Sequence, residues 1–293
     1  MTATVPSAPL HIDPIIASRT DDRARIRAVL QRDPITAAYL LGDLDPVYAH
    51  YCEWWVAEKA GADVAVVLVY TGLSAPVVLT YGQTDGLAAI FSDHLEEIPQ
   101  RAFVHLLPEH LAVVDQHFHL ERMRPMVRMG LQARQFRPNA KAVPATYAQP
   151  ERLTHRDTGD IMALFQYYPD SFFEPHQLTA GHYYGIRTSD AAAQLVAVAG
   201  IHVVSKIDRI ATLGNIVTHP DHRGAGLSTC CTCHLVSQLI DEGTELLALN
   251  VERRNSSAMH IYEKLGFREH ITYIEAFLVR TLSDRAKSGR VKA

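Results

Sequence analysis

Residues 215–229 read NIVTHPDHRGAGLST, and no segment of this 293-residue chain leaves fewer folds open. The apolar run Arg209–Val217 predicts a strand, and Pro220 ends its pairing because proline has no N–H to donate. Arg223-Gly224-Ala225-Gly226 follows, and Leu227-Ser228-Thr229 opens a helical run that Gly243 stops. Glycines let the backbone turn successive N–H groups toward one point. The helix N-terminus adds its unpaired N–H groups and its partial positive charge. In that order, strand, turn and helix can form a pyrophosphate cradle, with Arg223 as an added cation. The Gly-Lys-Ser/Thr ending of a P-loop is missing, and so is the glycine spacing of a dinucleotide fingerprint. Taken alone, such a segment is more often an ordinary turn.

A second segment, LLALNVERRNSSAMHIYEKLGF over Leu246–Phe267, narrows the choice. A strand leads to Asn255, a good N-cap, and Ala258, Ile261, Tyr262 and Leu265 make an apolar helical stripe that Gly266 ends. One reading is a capped helix with a core tyrosine. The other has Asn255 and Tyr262 facing a ligand held between this strand and the preceding one.

At this separation the two segments resemble the GCN5-related N-acetyltransferase superfamily, specifically over Gly214–Phe267 and more loosely over Leu195–Val279. The resemblance implies an α/β (α+β) fold of two such domains, each a mixed central sheet flanked by helices. It implies that Arg223, Gly224, Ala225, Gly226, Leu227, Ser228 and Thr229 hold the pyrophosphate of acetyl-CoA. Ser228 stands where the family usually has Gly or Ala, and it is still small. The preceding strand, at Ile216, Val217 and Thr218, is implied to pair its backbone with the pantetheine arm where the strands part. Asn250, Asn255 and Ala258 are implied as further cofactor contacts. Tyr262 falls on the tyrosine that protonates the leaving thiolate.

The N-terminal half has no such loop. After the strand VVLTYG the chain reads QTDGLAAIF, with one glycine and no arginine. The order of elements nevertheless echoes the C-terminal half, so a degenerate duplicate is expected. The proline-rich stretch RPNAKAVPATYAQP gives a break. The expected division is a degenerate domain over 1–135, a linker over 136–150, a catalytic domain over 151–282 and a disordered basic tail over 283–293. Periodicity predicts helix over 13–31 and 35–59, and strands at Val64–Tyr70 and Val77–Tyr81.

Composition sets the outer limits. A 47% hydrophobic fraction excludes a disordered chain, and a net charge of −4 argues against a nucleic-acid binder. The uncharged stretch Val64–Gln83 is interrupted by Gly72, Ser74 and Pro76, so it reads as two strands rather than a membrane span. The N-terminus has no basic start or apolar core, so no signal peptide and a cytoplasmic home are expected. Cys230, Cys231, Cys233 and His234 crowd one helix, but neighbours on a helix point apart, so no metal is expected.

The implied reaction is direct transfer of an acetyl group from acetyl-CoA to a primary amine, of a small molecule before a protein. A backbone N–H near Val217 would stabilise the oxyanion. Candidates for the base are Glu174, His182, His202 and Glu275. A non-catalytic coenzyme A sensor and an N-acyltransferase using longer acyl groups are the alternatives, and a homodimer stays open.

Overall fold

Strands buried on both faces carry almost continuous apolar sequence, and here they form the frame of the molecule. In the computed structural model, residues 13–138, 143–169, 171 and 173–281 are described. The N-terminal half supplies β1 (Ile15–Arg19), α1 (Arg23–Leu30), α2 (Ala38–Asp43), β2 (Cys52–Lys59), β3 (Ala62–Tyr70) and β4 (Val77–Gly82). It continues with α3 (Thr84–His94), β5 (Arg101–Leu106), α4 (Leu111–Val114) and β6 (Phe118–Gln132). The C-terminal half repeats the series with β7 (Glu151–Arg152), α5 (Thr158–Phe165), β8 (Tyr184–Arg187), β9 (Leu195–Ser205) and β10 (Ile210–Thr218). Then come α6 (Leu227–Asp241), β11 (Leu246–Glu252), α7 (Ser256–Leu265) and β12 (Arg268–Arg280).

All twelve strands join one mixed sheet in the order β1-β2-β3-β4-β5-β12-β6-β11-β10-β9-β8-β7. Each half lays its first five strands side by side, with the fourth and fifth parallel. The two last strands are exchanged. β12 pairs with β5 of the other half, β6 pairs with β11, and β6 and β12 lie antiparallel at the centre. The sheet of each half is thus extended only by a strand from the other.

Helices cover both faces, as the expected α/β architecture requires. On β2, Trp55 and Ala57 join the core under α3, while Trp54 and Val56 join the core under α1 and α2. That second core also takes in Ile210 and Ala248 of the C-terminal half. Two expectations from periodicity fail here. Residues 13–31 begin with the strand β1, and the stretch 35–59 is α-helical only at α2 before it becomes β2. Burial of both faces of β2 removes the alternation that marks a strand, leaving an apolar run that reads equally well as helix. The expected break after residue 136 is pinned to the C-terminal half, for Arg137 N–H donates to the Leu265 carbonyl at 3.0 Å. The expected tail lies outside the described residues.

Candidate active site

The site begins where β10 and β11 stop pairing. Their parallel register runs from Ile210 and Leu246 to Leu213 and Leu249, and the strands part beyond it. A bulge between Gly214 and Val217 shifts the β9–β10 register by one residue. At its centre Asn215 takes a left-handed conformation (φ 54°), and its side-chain amide donates to the Tyr183 hydroxyl at 2.8 Å. Past the bulge, His219 N–H donates to the Val196 carbonyl on β9 (2.8 Å). Ladder alternation then turns Val217 toward β9 and points the N–H and carbonyl of Thr218 into the gap. The backbone N–H near Val217 that faces the gap is therefore that of Thr218. The Thr218 Oγ1 is buried with no hydrogen-bond partner among the described residues.

The loop between β10 and α6 is built as a cradle. Gly224 and Gly226 have φ of 81° and 78°, a conformation that side chains resist. A Cβ at either would meet nothing within 4 Å, so these glycines answer to backbone shape and to open space in front of the loop. Gly226 is the N-cap of α6 and offers no side-chain cap, so the first N–H groups of this 15-residue helix stay available. Arg223, Gly224 and Gly226 are exposed, Ala225, Ser228 and Thr229 are half-buried, and Leu227 anchors the helix in the core. Arg223 rests on Tyr168. Its Nη2 donates to the Tyr168 hydroxyl at 2.9 Å, and that hydroxyl in turn donates to the Thr218 carbonyl. Tyr168 thus closes the gap-side backbone with a hydrogen bond, a link that the aromatic composition of its loop did not reveal.

On α7, Asn255 caps the helix, its side-chain oxygen accepting from Ala258 N–H at 3.1 Å. It is exposed, and only its amide NH2 is left for a ligand. Ala258 is half-buried beside it. Tyr262 is buried in the core cluster that also holds Leu227, Leu249 and Val251, with its ring 6.1 Å from that of Phe267. Burial pushes its phenol well above the ordinary range, so the hydroxyl keeps its proton. Asn250 follows the last residue of β11 that pairs with β10, and its side-chain oxygen accepts from Arg128 Nε at 3.0 Å.

That bond leads into a cavity of about 970 Å³ between the two halves. Arg128, from the exchanged strand β6, lies over the rings of Tyr39 (4.8 Å) and Tyr273 (5.0 Å). The base candidates separate clearly here. Glu275 is buried and engaged, accepting from Tyr273 (2.9 Å) and Arg124 (3.1 Å). His182 is bonded to Glu242 at 2.8 Å. Glu174 accepts from Ser74 N–H at 2.7 Å. His202 alone of the four has no hydrogen-bond partner among the described residues. Its ring covers Gly214, where a Cβ would collide with Nε2, at the first residue past the parting of the strands. Burial pushes its imidazole down to about 4, so it is neutral at ordinary pH.

The corresponding gap of the N-terminal half is filled. β4 and β5 pair as far as Leu79 and His105. Beyond them the buried His110 sits 2.9 Å from Thr80 Oγ1 and 3.0 Å from the Gly82 carbonyl. The carbonyl can only accept, so Nε2 carries the hydrogen and Nδ1 accepts from Thr80. Counted back from Phe118 as Tyr262 is from Phe267, the position of the tyrosine holds Val113.

Residues 183–275 match the family model described as FR47-like protein. A stretch of 59 residues, 20% of the chain, is 41% identical to the ribosomal protein bS18-alanine N-acetyltransferase of Escherichia coli (strain K12), covering 40% of that protein. A stretch of 53 residues, 18% of the chain, is 30% identical to the L-amino acid N-acyltransferase MnaT of the same strain, covering 31% of it. The chain therefore spans less than half the length of these curated relatives. A solved tandem GNAT protein from the clavulanic acid biosynthesis pathway has the same fold over 92% of this chain and 100% of its own. The TM-score is 0.57 at 14% identity.

Proposed function

The C-terminal half of this chain resembles the GCN5-related N-acetyltransferases in sequence and shares their fold, and from that premise we propose an acetyl-CoA-dependent N-acetyltransferase acting on a primary amine of a small molecule. The observation that carries the reading is the conjunction of the parted strands β10 and β11 with the open glycine cradle at the start of α6. The residues fit the cofactor. Two left-handed glycines, an uncapped helix N-terminus and Arg223 suit a pyrophosphate. The unpaired Thr218 Oγ1 and the gap-facing Thr218 backbone suit an amide-bearing arm laid along β10.

When bound, acetyl-CoA supplies the acetyl group as a thioester. Arg223, freed from Tyr168, and the N–H groups of residues 224–229 would hold its pyrophosphate. Thr218 N–H sits on the gap side, where it can polarise the carbonyl and hold developing negative charge. Parting of the strands lets the acyl end reach the cavity, so that amine and carbonyl meet in attack geometry. His202, unbonded over Gly214 among the described residues, takes the proton only once nitrogen has bonded to the carbonyl carbon, when the ammonium so formed is far more acidic than that of the free amine. Tyr262, which keeps its proton, donates it to the departing sulfur; a thiol pKa of about 8.5 makes that help useful rather than essential.

The test is calorimetric titration with acetyl-CoA and coenzyme A, followed by thiol-release assays. Wild type binds both ligands, and Arg223→Glu weakens binding at least tenfold through charge reversal beside the pyrophosphate. Tyr262→Phe binds normally and loses kcat. Failure of wild type to bind either ligand would overturn the cofactor assignment.

A further inference from the structure

One acidic side chain in the cavity is unaccounted for by this chemistry. Asp43, the last residue of α2, is only 5% exposed and lines the cavity. Its Oδ1 is buried without a hydrogen bond, and no side chain among the described residues pairs with its carboxyl group. The other cavity acids are occupied: Glu275 by Arg124 and Tyr273, Glu242 by His182, and Asp45 by Ser205, which donates at 3.1 Å. A buried carboxyl with no counter-ion is held neutral by a proton, and a cation that enters beside it takes that proton's place. Burial accordingly holds the Asp43 carboxyl well above the usual range.

The surroundings suit an ammonium group. Tyr39, Tyr48, Tyr51 and Tyr70 line the same cavity, with the rings of Tyr51 and Tyr70 5.8 Å apart. Burial, with Asp43 adding to it, pushes the Tyr48 phenol up to about 12. An acid in a cavity that tyrosines line is a setting suited to cation recognition. Position then links it to the reacting end. Tyr39 and Asp43 are four residues apart on one face of α2, so their Cβ atoms are about 6 Å apart. The Tyr39 ring lies 5.9 Å from that of His202. Asp43 is therefore about one small molecule's length from the parting of the strands.

We infer that Asp43 and its tyrosines anchor a second, non-reacting cationic group of the acceptor, so that the preferred substrates are small molecules with two amino groups. The inference rests on the acetyltransferase reading for the reacting end, but the anchor is a binding site in its own right. One amine is held as an ammonium at Asp43 while the other attacks and then gives up a proton to His202. The N-terminal half thereby takes part in acceptor selection although its own cofactor gap is filled.

The test uses the full chain with putrescine, n-butylamine and γ-aminobutyrate as acceptors. Wild type is expected to show kcat/KM for putrescine at least tenfold above that for n-butylamine, with γ-aminobutyrate lowest. Asp43→Asn keeps the shape and neutrality of the unliganded side chain, so it should fold, and it can no longer become an anion when a cation arrives. It is expected to bind acetyl-CoA with wild-type affinity and to lose the preference for putrescine. Calorimetric titration with putrescine alone reads the anchor without turnover: wild type binds, and Asp43→Asn binds at least tenfold more weakly. Equal kcat/KM for putrescine and n-butylamine in wild type, or unchanged putrescine binding in Asp43→Asn, overturns the inference. Putrescine binding that depends on Asp43, in a protein that does not bind acetyl-CoA, would uphold the anchor and overturn the acetyltransferase reading instead.

Discussion

His202 stands over Gly214 with both ring nitrogens unbonded among the described residues, and burial holds it neutral. Its folded pKa of about 4 lies below the unfolded value of about 6.5. The stability it contributes is therefore fully present above pH 6.5 and is lost as pH falls toward 4, because the unfolded chain takes up the proton first. His202→Gln should show a smaller drop in denaturation midpoint over that window than wild type. Chemical denaturation at pH 7 and pH 4.5 measures it, and equal drops would mean that the imidazole keeps an ordinary pKa in the folded protein. At this scale the sequence was informative about Arg223, the two glycines and Tyr262, since their spacing is local. It listed four base candidates without order. What separates them is what each touches across the fold, and no local pattern encodes that. Asp43 was passed over, although a lone acid in the apolar run TAAYLLGDL is a visible irregularity.

At the scale of the element, the cradle and α7 show how one side chain can serve two needs. Asn255 caps α7 through its oxygen, leaving its amide nitrogen for a ligand. Asn255→Ala should cost about 1 kcal/mol of stability, the usual value of a lost N-cap. Asn255→Asp keeps the capping oxygen and loses the NH2, so it should restore stability while leaving acetyl-CoA affinity reduced. Thermal melts and titrations of both variants separate the roles; full cofactor affinity in Asn255→Asp would make this residue a cap alone. A helix with one buried face was legible from its period, as at Thr84–His94. The strand Cys52–Lys59 was not, because Trp54 and Trp55 are buried on opposite faces and the pattern has no polar side.

For the whole molecule, the exchange of β6 and β12 is the governing fact. The pairings β5–β12 and β11–β6 near the centre of the sheet cross between halves, so neither half can cover the free edge of its own fifth strand. The halves should therefore fail to fold when produced separately as residues 1–135 and 136–293, and should recover native circular dichroism when co-expressed. A cooperative melt of either piece alone would contradict this. The exchange also contributes to the cavity between the halves. Glu275 of β12 lies across from His105 of β5 and Arg124 of β6, while Arg128 of β6 reaches Asn250 of β11. The crossed strands thus bring Arg124, Met126 and Glu275 to the cavity lining.

What the sequence by itself determined is whatever is written within one or two neighbouring elements. That covers the strand–loop–helix cradle, the capped helix with its tyrosine, the repeated order of elements and the lack of a second cradle. These depend on backbone conformation and on periods of a few residues, which the residues themselves carry. Which strand lies beside which was decided only by the tertiary structure, and with it the parting of β10 from β11, the plug at His110, the free His202 and the unpaired Asp43. Strand order and side-chain pairing are settled by burial summed over residues up to a couple of hundred positions apart, and no local window contains that sum.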